Sequence, residues 1–139
     1  MTQKKHGSNI GNQVEFREDG PQMDHKASQT HITLVTAPDP QTARRLVTAA
    51  LEHHYAACGN IIPKVESHYW WEGKIECSEE CLIILKSTES MLAPLKTLIL
   101  EEHPYDVPEF VSLEIHSGSQ PYLEWIRTES RSPELPSQR

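Results

Sequence analysis

The chain has 139 residues, 37% of them hydrophobic and 24% charged, with a formal net charge of -7 and a mean hydropathy of -0.56. That is about one domain, and its longest apolar stretches, such as Leu82 to Leu85, fall far short of the ~18 consecutive residues of a membrane-spanning helix, so a membrane protein is excluded. The acidity lies between His31 and Arg127, with 7 Lys and Arg against 14 Asp and Glu, a field that repels phosphate backbones, counts against nucleic acid as a partner and favours cations.

Met1 to Thr30 holds only scattered apolar residues (Ile10, Val14, Phe16, Met23) without helical or strand period, and reads as a disordered extension. It contains no apolar core of a secretory signal. Ser130 to Arg139, with Pro133 and Pro136, reads as a frayed end. The division expected is therefore a disordered extension over 1–30, a folded domain over 31–127 and a flexible tail over 128–139. Three cysteines, Cys58, Cys77 and Cys81, are an odd and sparse set that fits a reducing compartment, which points to the cytoplasm.

Ile32 to Ala37 is β-branched and apolar and is stopped by Pro38, a strand. Asp39 followed by Pro40 marks a helix start, an acceptor at the N-cap with proline at the first helical position. Ala43, Leu46, Val47, Ala50 and Leu51 then form one apolar stripe at helical spacing. Ala57 to Ile62, interrupted by Pro63 and resumed from Val65 to Trp71, predicts a second strand. Glu72-Gly73 supplies a tight reversal, and Lys74 to Lys86 returns as the third strand, its apolar end from Cys81 to Leu85 expected to be covered on both faces. Ser87 or Thr88 caps a second helix carrying Met91, Leu95, Leu98, Ile99 and Glu102. Val107 to Ile115 predicts the fourth strand, and Pro121 to Arg127 a short last helix. The order βαββαβ with a terminal helix is an α+β, ferredoxin-like arrangement, an antiparallel sheet with both long helices on one face. Fold alone decides no activity.

Tyr69-Trp70-Trp71 ends a strand whose successive side chains point to opposite faces, so both indoles cannot enter one core. Either a neighbouring subunit covers the second ring or it is half-exposed. His103-Pro104-Tyr105-Asp106 lies where the second helix ends, with Glu101, Glu102 and Glu109 close by in sequence. Proline holds His103 extended on a loop among carboxylates. The alternative is a helix end in which His103 meets the dipole and Tyr105 anchors the loop. Cys77 and Cys81, four residues apart on one strand, are separated by about 13 Å and cannot share one ion or a disulfide. His53 and His54 diverge by about 100° on a helix and make a poor chelate. The sequence carries no G-x-S-x-G, G-x-x-x-x-G-K-[ST] or H-E-x-x-H signature and no nucleophile-base constellation, so no enzymatic activity is expected.

The segments Thr36-Ala37-Pro38, Ala56-Ala57-Cys58-Gly59-Asn60-Ile61-Ile62-Pro63, Tyr69-Trp70-Trp71-Glu72-Gly73-Lys74-Ile75-Glu76, Leu85-Lys86-Ser87-Thr88, His103-Pro104-Tyr105 and Tyr122-Leu123-Glu124-Trp125-Ile126 occur in an order that resembles the CutA divalent-cation tolerance family over about Ile32 to Arg127. The resemblance implies a ferredoxin-like subunit in a tight homotrimer, similar in architecture to the PII signal-transduction proteins, with the long hairpin exchanged between neighbours. It also implies tolerance to copper and other divalent cations. Carried over position by position, the pocket it implies comprises Cys58, Tyr69, Trp71, Lys74, Lys86, His103, Tyr105, Glu109 and Trp125. At the strand-one position that is Cys in some bacterial members this chain has Val35. The expectation for metal is accordingly weak binding of a borderline ion, Cu(II) or Zn(II), at His103 with oxygens from Glu102, Asp106 or Glu109. The alternative function is a PII-like regulatory module that takes a small effector in clefts between subunits.

Overall fold

The computed structural model describes residues 26–132. The expected extension therefore falls outside the described residues for 1–25, and the end of the tail for 133–139. Four strands and three α-helices follow in the order β1 (Thr30–Ala37), α1 (Pro40–Glu52), β2 (Cys58–Trp71), β3 (Lys74–Thr88), α2 (Leu92–Glu102), β4 (Val111–Glu114) and α3 (Gln120–Glu129). The sheet is antiparallel with spatial order β2-β3-β1-β4, the split βαβ order expected from the chain.

The folded unit is wider than 31–127 at both ends. Thr30 opens β1 opposite Thr88 and is 1% exposed. Arg127 Nε donates to the Ser28 carbonyl at 3.0 Å and Gln29 Nε2 to the Ile115 carbonyl at 3.1 Å. Beyond Arg127, α3 continues to Glu129, and the Thr88 hydroxyl donates to the Ser130 carbonyl at 3.0 Å.

Helix α1 starts as its sequence dictates. The Asp39 carboxylate accepts from the Thr42 N–H at 2.7 Å, and that bond holds its pKa below the ordinary carboxylate value. The stripe Ala43, Leu46, Val47 and Ala50 is buried, while Leu51 lies at its margin and is exposed. His54, in the left-handed region at φ 60°, ends the turn and bonds through Nδ1 to the Glu129 carbonyl at 2.8 Å. Thr88 does not cap the second helix, because β3 runs through it and its hydroxyl is used on Ser130. A 3₁₀ turn over Glu89–Met91 leads into α2 instead. The fourth strand is four residues long. Pro108 has no N–H for a ladder and Val107 is 73% exposed, so 103–110 is a loop.

The core lies between one sheet face and the two long helices. Val35 and Ala37 of β1, with Cys81, Ile83 and Leu85 of β3, meet Ala43, Leu46 and Ala50 of α1 and Leu95 and Ile99 of α2. The expected double coverage of 81–85 is therefore corrected: Cys81, Ile83 and Leu85 are buried, but Leu82 and Ile84 are only half-buried. On that second face Ile32 and Leu34, Leu82 and Ile84, Val111 and Leu113 share registers, and α3 protects just the end near Thr30 and Thr88.

Gly59 is the tightest approach of β2 to α1. A Cβ there would stand 2.6 Å from Val47 Cγ1 and 3.2 Å from Leu85 Cδ2, and both neighbours belong to the core. Gly59→Ala is expected to destabilise the fold by about 1–3 kcal/mol through overpacking, read as a lower urea midpoint at unchanged slope and equal protein concentration.

Candidate functional site

The β2-β3 hairpin carries the aromatic residues past the end of the domain. Glu72 and Gly73, both with positive φ (51° and 80°), close it as a two-residue turn of the kind that matches strand twist. One extra residue is accommodated on β2 between Ile62 and Val65, where Lys64 is left-handed at φ 63°. That bulge reverses which side chains share a face. Before it Asn60 and Ile62 pair with Ile84 and Leu82 on the uncovered face; after it Val65, Ser67, Tyr69 and Trp71 do so, opposite Glu80, Ser78, Glu76 and Lys74.

A cleft of about 470 Å³ forms where this arm leaves the sheet, lined by Thr36, Ser67, His68, Tyr69, Trp71, Glu80, Tyr105, Asp106, Val107 and Glu109. Its wall holds three carboxylates and no Lys or Arg, so its field is negative. The loop side is fastened by His103, the residue that ends α2 in extended conformation (φ -79°, ψ 139°) ahead of Pro104. Its Nε2 lies 2.7 Å from the Thr36 carbonyl, and its Nδ1 lies 3.1 Å from the Tyr105 amide nitrogen. A carbonyl only accepts and an amide only donates, so the ring is neutral with its proton on Nε2. Tyr105 packs on that ring at 4.7 Å and donates its hydroxyl to Glu80 Oε2 at 2.7 Å. Burial first, then the Glu80 carboxylate beside it, pushes the Tyr105 phenol well above its ordinary value.

The expected metal set does not converge as the chain is folded. Both ring nitrogens of His103 are already used, within hydrogen bonds that join the loop to β1. Asp106 and Glu109 line the cleft, while Glu102 is exposed on the last turn of α2, its carbonyl accepting from Arg45 Nη2 at 3.3 Å. Among the described residues, ligand atoms of three side chains come within 4.8 Å of one another in two other places, Glu66-His68-Cys77 and His31-Glu89-Glu114. In the second, His31 Nε2 is 2.8 Å from Glu89 Oε1. The sequence reading missed both, although residues equidistant from a two-residue turn must face each other, and that rule puts His68 opposite Cys77.

The pocket residues implied by the resemblance fall into two groups on one sheet face. Tyr69, Trp71, Tyr105 and Glu109 belong to the cleft, and Lys74 pairs with Trp71 at the hairpin tip. Cys58, Lys86 and Trp125 lie at the other end. Cys58 pairs with Lys86, whose Nζ donates to Asn60 Oδ1 at 3.1 Å and sits 5.7 Å from the Tyr122 ring, and Tyr122 stacks on Trp125 at 5.5 Å. Six residues of β3 separate Glu80 from Lys86, roughly 20 Å along the strand.

Residues 31–129 match the family of the CutA1 divalent ion tolerance protein. The chain belongs to that family. It is 41% identical over 100 residues to the Oryza sativa protein CutA 1, chloroplastic, covering 72% of this chain and 56% of that one. It is 38% identical over 96 residues to the Thermus thermophilus divalent-cation tolerance protein CutA, covering 69% of this chain and 93% of the relative. The chain thus spans little more than half the length of the plant relative and nearly all of the bacterial one. The crystal structure of CutA1 from Oryza sativa superposes with a TM-score of 0.72 at 40% identity, covering 74% of this chain and 94% of that one. The α+β fold with its four-stranded antiparallel sheet is thereby the CutA fold. Among the described residues no helix is long and apolar enough to cross a membrane.

The Tyr105-Glu80 bond has a pH signature. Because the folded phenol keeps its proton above the ordinary value near 10, its stabilising effect is complete below about pH 10 and is lost as pH rises from there through the folded value. Tyrosinate absorbance is expected to show one late-ionising ring of the four tyrosines. Tyr105→Phe removes that step and Glu80→Gln moves it to lower pH.

Proposed function

We propose that this chain acts, without enzymatic activity, as a homotrimeric divalent-cation tolerance protein that binds copper or another divalent ion. The observation that carries the assembly is the uncovered sheet face. Ile32, Leu34, Leu82 and Ile84 form its centre, Ile62, Val111 and Leu113 are more exposed around them, and Trp71 at 46% exposure continues this face onto the arm, whose opposite side carries Trp70 at 71% and Ile75 at 63%. Contiguous apolar surface of this kind marks a contact. Burying one such indole is worth several kcal/mol at ~25 cal/mol/Å², and a closed ring repeats the gain at every interface.

The same assembly gives the divided pocket a purpose. Cyclic packing through this face sets the acidic cleft and arm of one protomer against the Cys58, Lys86 and Trp125 end of the next. In the cleft, Asp106 and Glu109 offer oxygen ligands, and His103 adds an imidazole only if its ring leaves Thr36 and Tyr105. Weak binding of a borderline ion fits that cost. The PII-like reading, a small effector held between subunits, is favoured by Lys86, a cation set against the Tyr122 ring on the same face. Three cysteines without disulfides fit the cytoplasm for this chain, although the names of relatives carry other compartments, chloroplastic for the Oryza sativa protein and periplasmic for that of Archaeoglobus fulgidus.

Native mass spectrometry of the protein purified without chelator tests both parts. The expected particle has three times the 15.8 kDa chain mass and retains divalent metal. A stable monomer overturns the assembly. Leu34→Glu, which puts a charge at the centre of the uncovered face, is expected to give folded monomers, with circular dichroism unchanged and the sedimentation coefficient lowered.

A further inference from the structure

The hairpin arm carries a second kind of chemistry on the face opposite Tyr69 and Trp71, and one residue of that face, His68, also lines the cleft. The bulge at Pro63-Lys64 puts Glu66, His68 and Trp70 on that side, opposite Glu79, Cys77 and Ile75. Glu66 Oε2 lies 2.6 Å from His68 Nε2, and Cys77 Sγ lies 3.7 Å from the same nitrogen. All three donor atoms fall within 4.8 Å of one another. We propose that Glu66, His68 and Cys77 form a binding site for a zinc-type divalent cation on the hairpin arm. The proposal deepens the reading of the protein as a divalent-cation binder and rests on it, but gives the ion a donor set that does not use Asp106 or Glu109.

Three features carry it. The first is the donor set: a thiolate, an imidazole and a carboxylate are the three ligand types of zinc sites, and a fourth position open to water completes a tetrahedron. The second is the geometry. With Zn–S about 2.3 Å and Zn–N about 2.0 Å, the sulfur-nitrogen edge of a tetrahedron is about 3.5 Å, close to the 3.7 Å of the cross-strand pair, while the Glu66–His68 contact of 2.6 Å widens to about 3.3 Å around the ion. The turn closes just four residues from His68, and the ladder runs unbroken from Val65 to Trp71, so the backbone holds His68 and Cys77 directly opposite each other. The third is electrostatic and independent of the other two. Glu66 and Glu79 are direct cross-strand partners, and like charges directly opposite destabilise a hairpin. A cation held beside Glu66 removes that repulsion.

The protons balance simply. The proton between His68 Nε2 and Glu66 Oε2, 2.6 Å apart without the ion, passes to Nδ1, Cys77 releases its thiol proton to solvent, and Nε2, the carboxylate and the thiolate then face the ion. The site then has two negative ligands for a 2+ ion and is neutral. No redox step is involved. Cys81, four residues along the strand, is buried, and burial pushes its thiol pKa up, so it does not compete.

Cobalt(II) alone, as a spectroscopic stand-in for zinc, tests the site on the full-length protein. One ion per chain is expected, with a near-ultraviolet thiolate-to-cobalt band and the visible absorption of a tetrahedral ion. Cys77→Ser abolishes the band, His68→Ala weakens binding at least tenfold, and Cys58→Ser leaves both unchanged. Glu66, His68 and Cys77 are exposed, and native mass spectrometry of each variant checks that assembly is intact. His6 and His25 of the extension contribute no sulfur, so they cannot mimic the band. Cobalt bound without the band, or with a band indifferent to Cys77→Ser, overturns the hairpin site while leaving divalent-cation binding in the cleft intact. A protein that binds no cobalt or zinc at all overturns both readings.

Discussion

β1 and β3 pair over eight consecutive positions, and alternate residues on both are apolar on both faces. The chain provides two long helices for one of those faces and only the short α3, at one end, for the other. Every other feature follows from this imbalance. A sheet with one solvated face would carry polar residues at Ile32, Leu34, Leu82 and Ile84. Their exposure is the observation on which the proposed assembly rests.

The hairpin arm depends on one inserted residue. Without the bulge after Ile62, the arm would continue the parity of the sheet, and Glu66 and His68 would take the face that Tyr69 and Trp71 occupy. With it, Tyr69 and Trp71 enter the cleft beside Glu80, while the thiol, imidazole and carboxylate group on the opposite side. One irregularity thus puts Tyr69 and Trp71 on one face and Glu66, His68 and Cys77, with Trp70, on the other. Pro63 suits the position because a bulge leaves one residue unpaired and proline has no N–H to lose.

His103 shows how one residue type serves a site without performing its chemistry. A histidine among carboxylates reads as a ligand, yet its ring is held between an obligate acceptor and an obligate donor. It pins the 103–110 loop to the end of β1, and Tyr105 then closes on Glu80. Of the alternative considered from sequence, a helix end in which His103 meets the dipole and Tyr105 anchors the loop, the anchoring by Tyr105 matches this arrangement, while the His103 ring bonds to Thr36 and Tyr105.

Much was legible in the residues alone because it is local. The Asp39-Pro40 helix start, the Ala43 to Ala50 stripe, the Glu72-Gly73 reversal and the family segments depend on near neighbours or on short spacing. The length of the fourth strand was not legible, since Val107 to Ile115 alternates correctly and only the missing N–H of Pro108 and the absence of a partner beyond Leu34 stop the ladder at Val111. Nor were the ends of the domain, where Ser28 is recruited by Arg127, 99 positions away, and Ser130 by Thr88, 42 positions away. Where the two nitrogens of His103 point was decided by tertiary structure, whereas the facing of Cys77 and His68 follows from the Glu72-Gly73 turn and was open to the sequence. Composition and periodicity report which face a side chain occupies; the partner it finds there depends on strand register and on backbone groups contributed by distant segments, which no local pattern records.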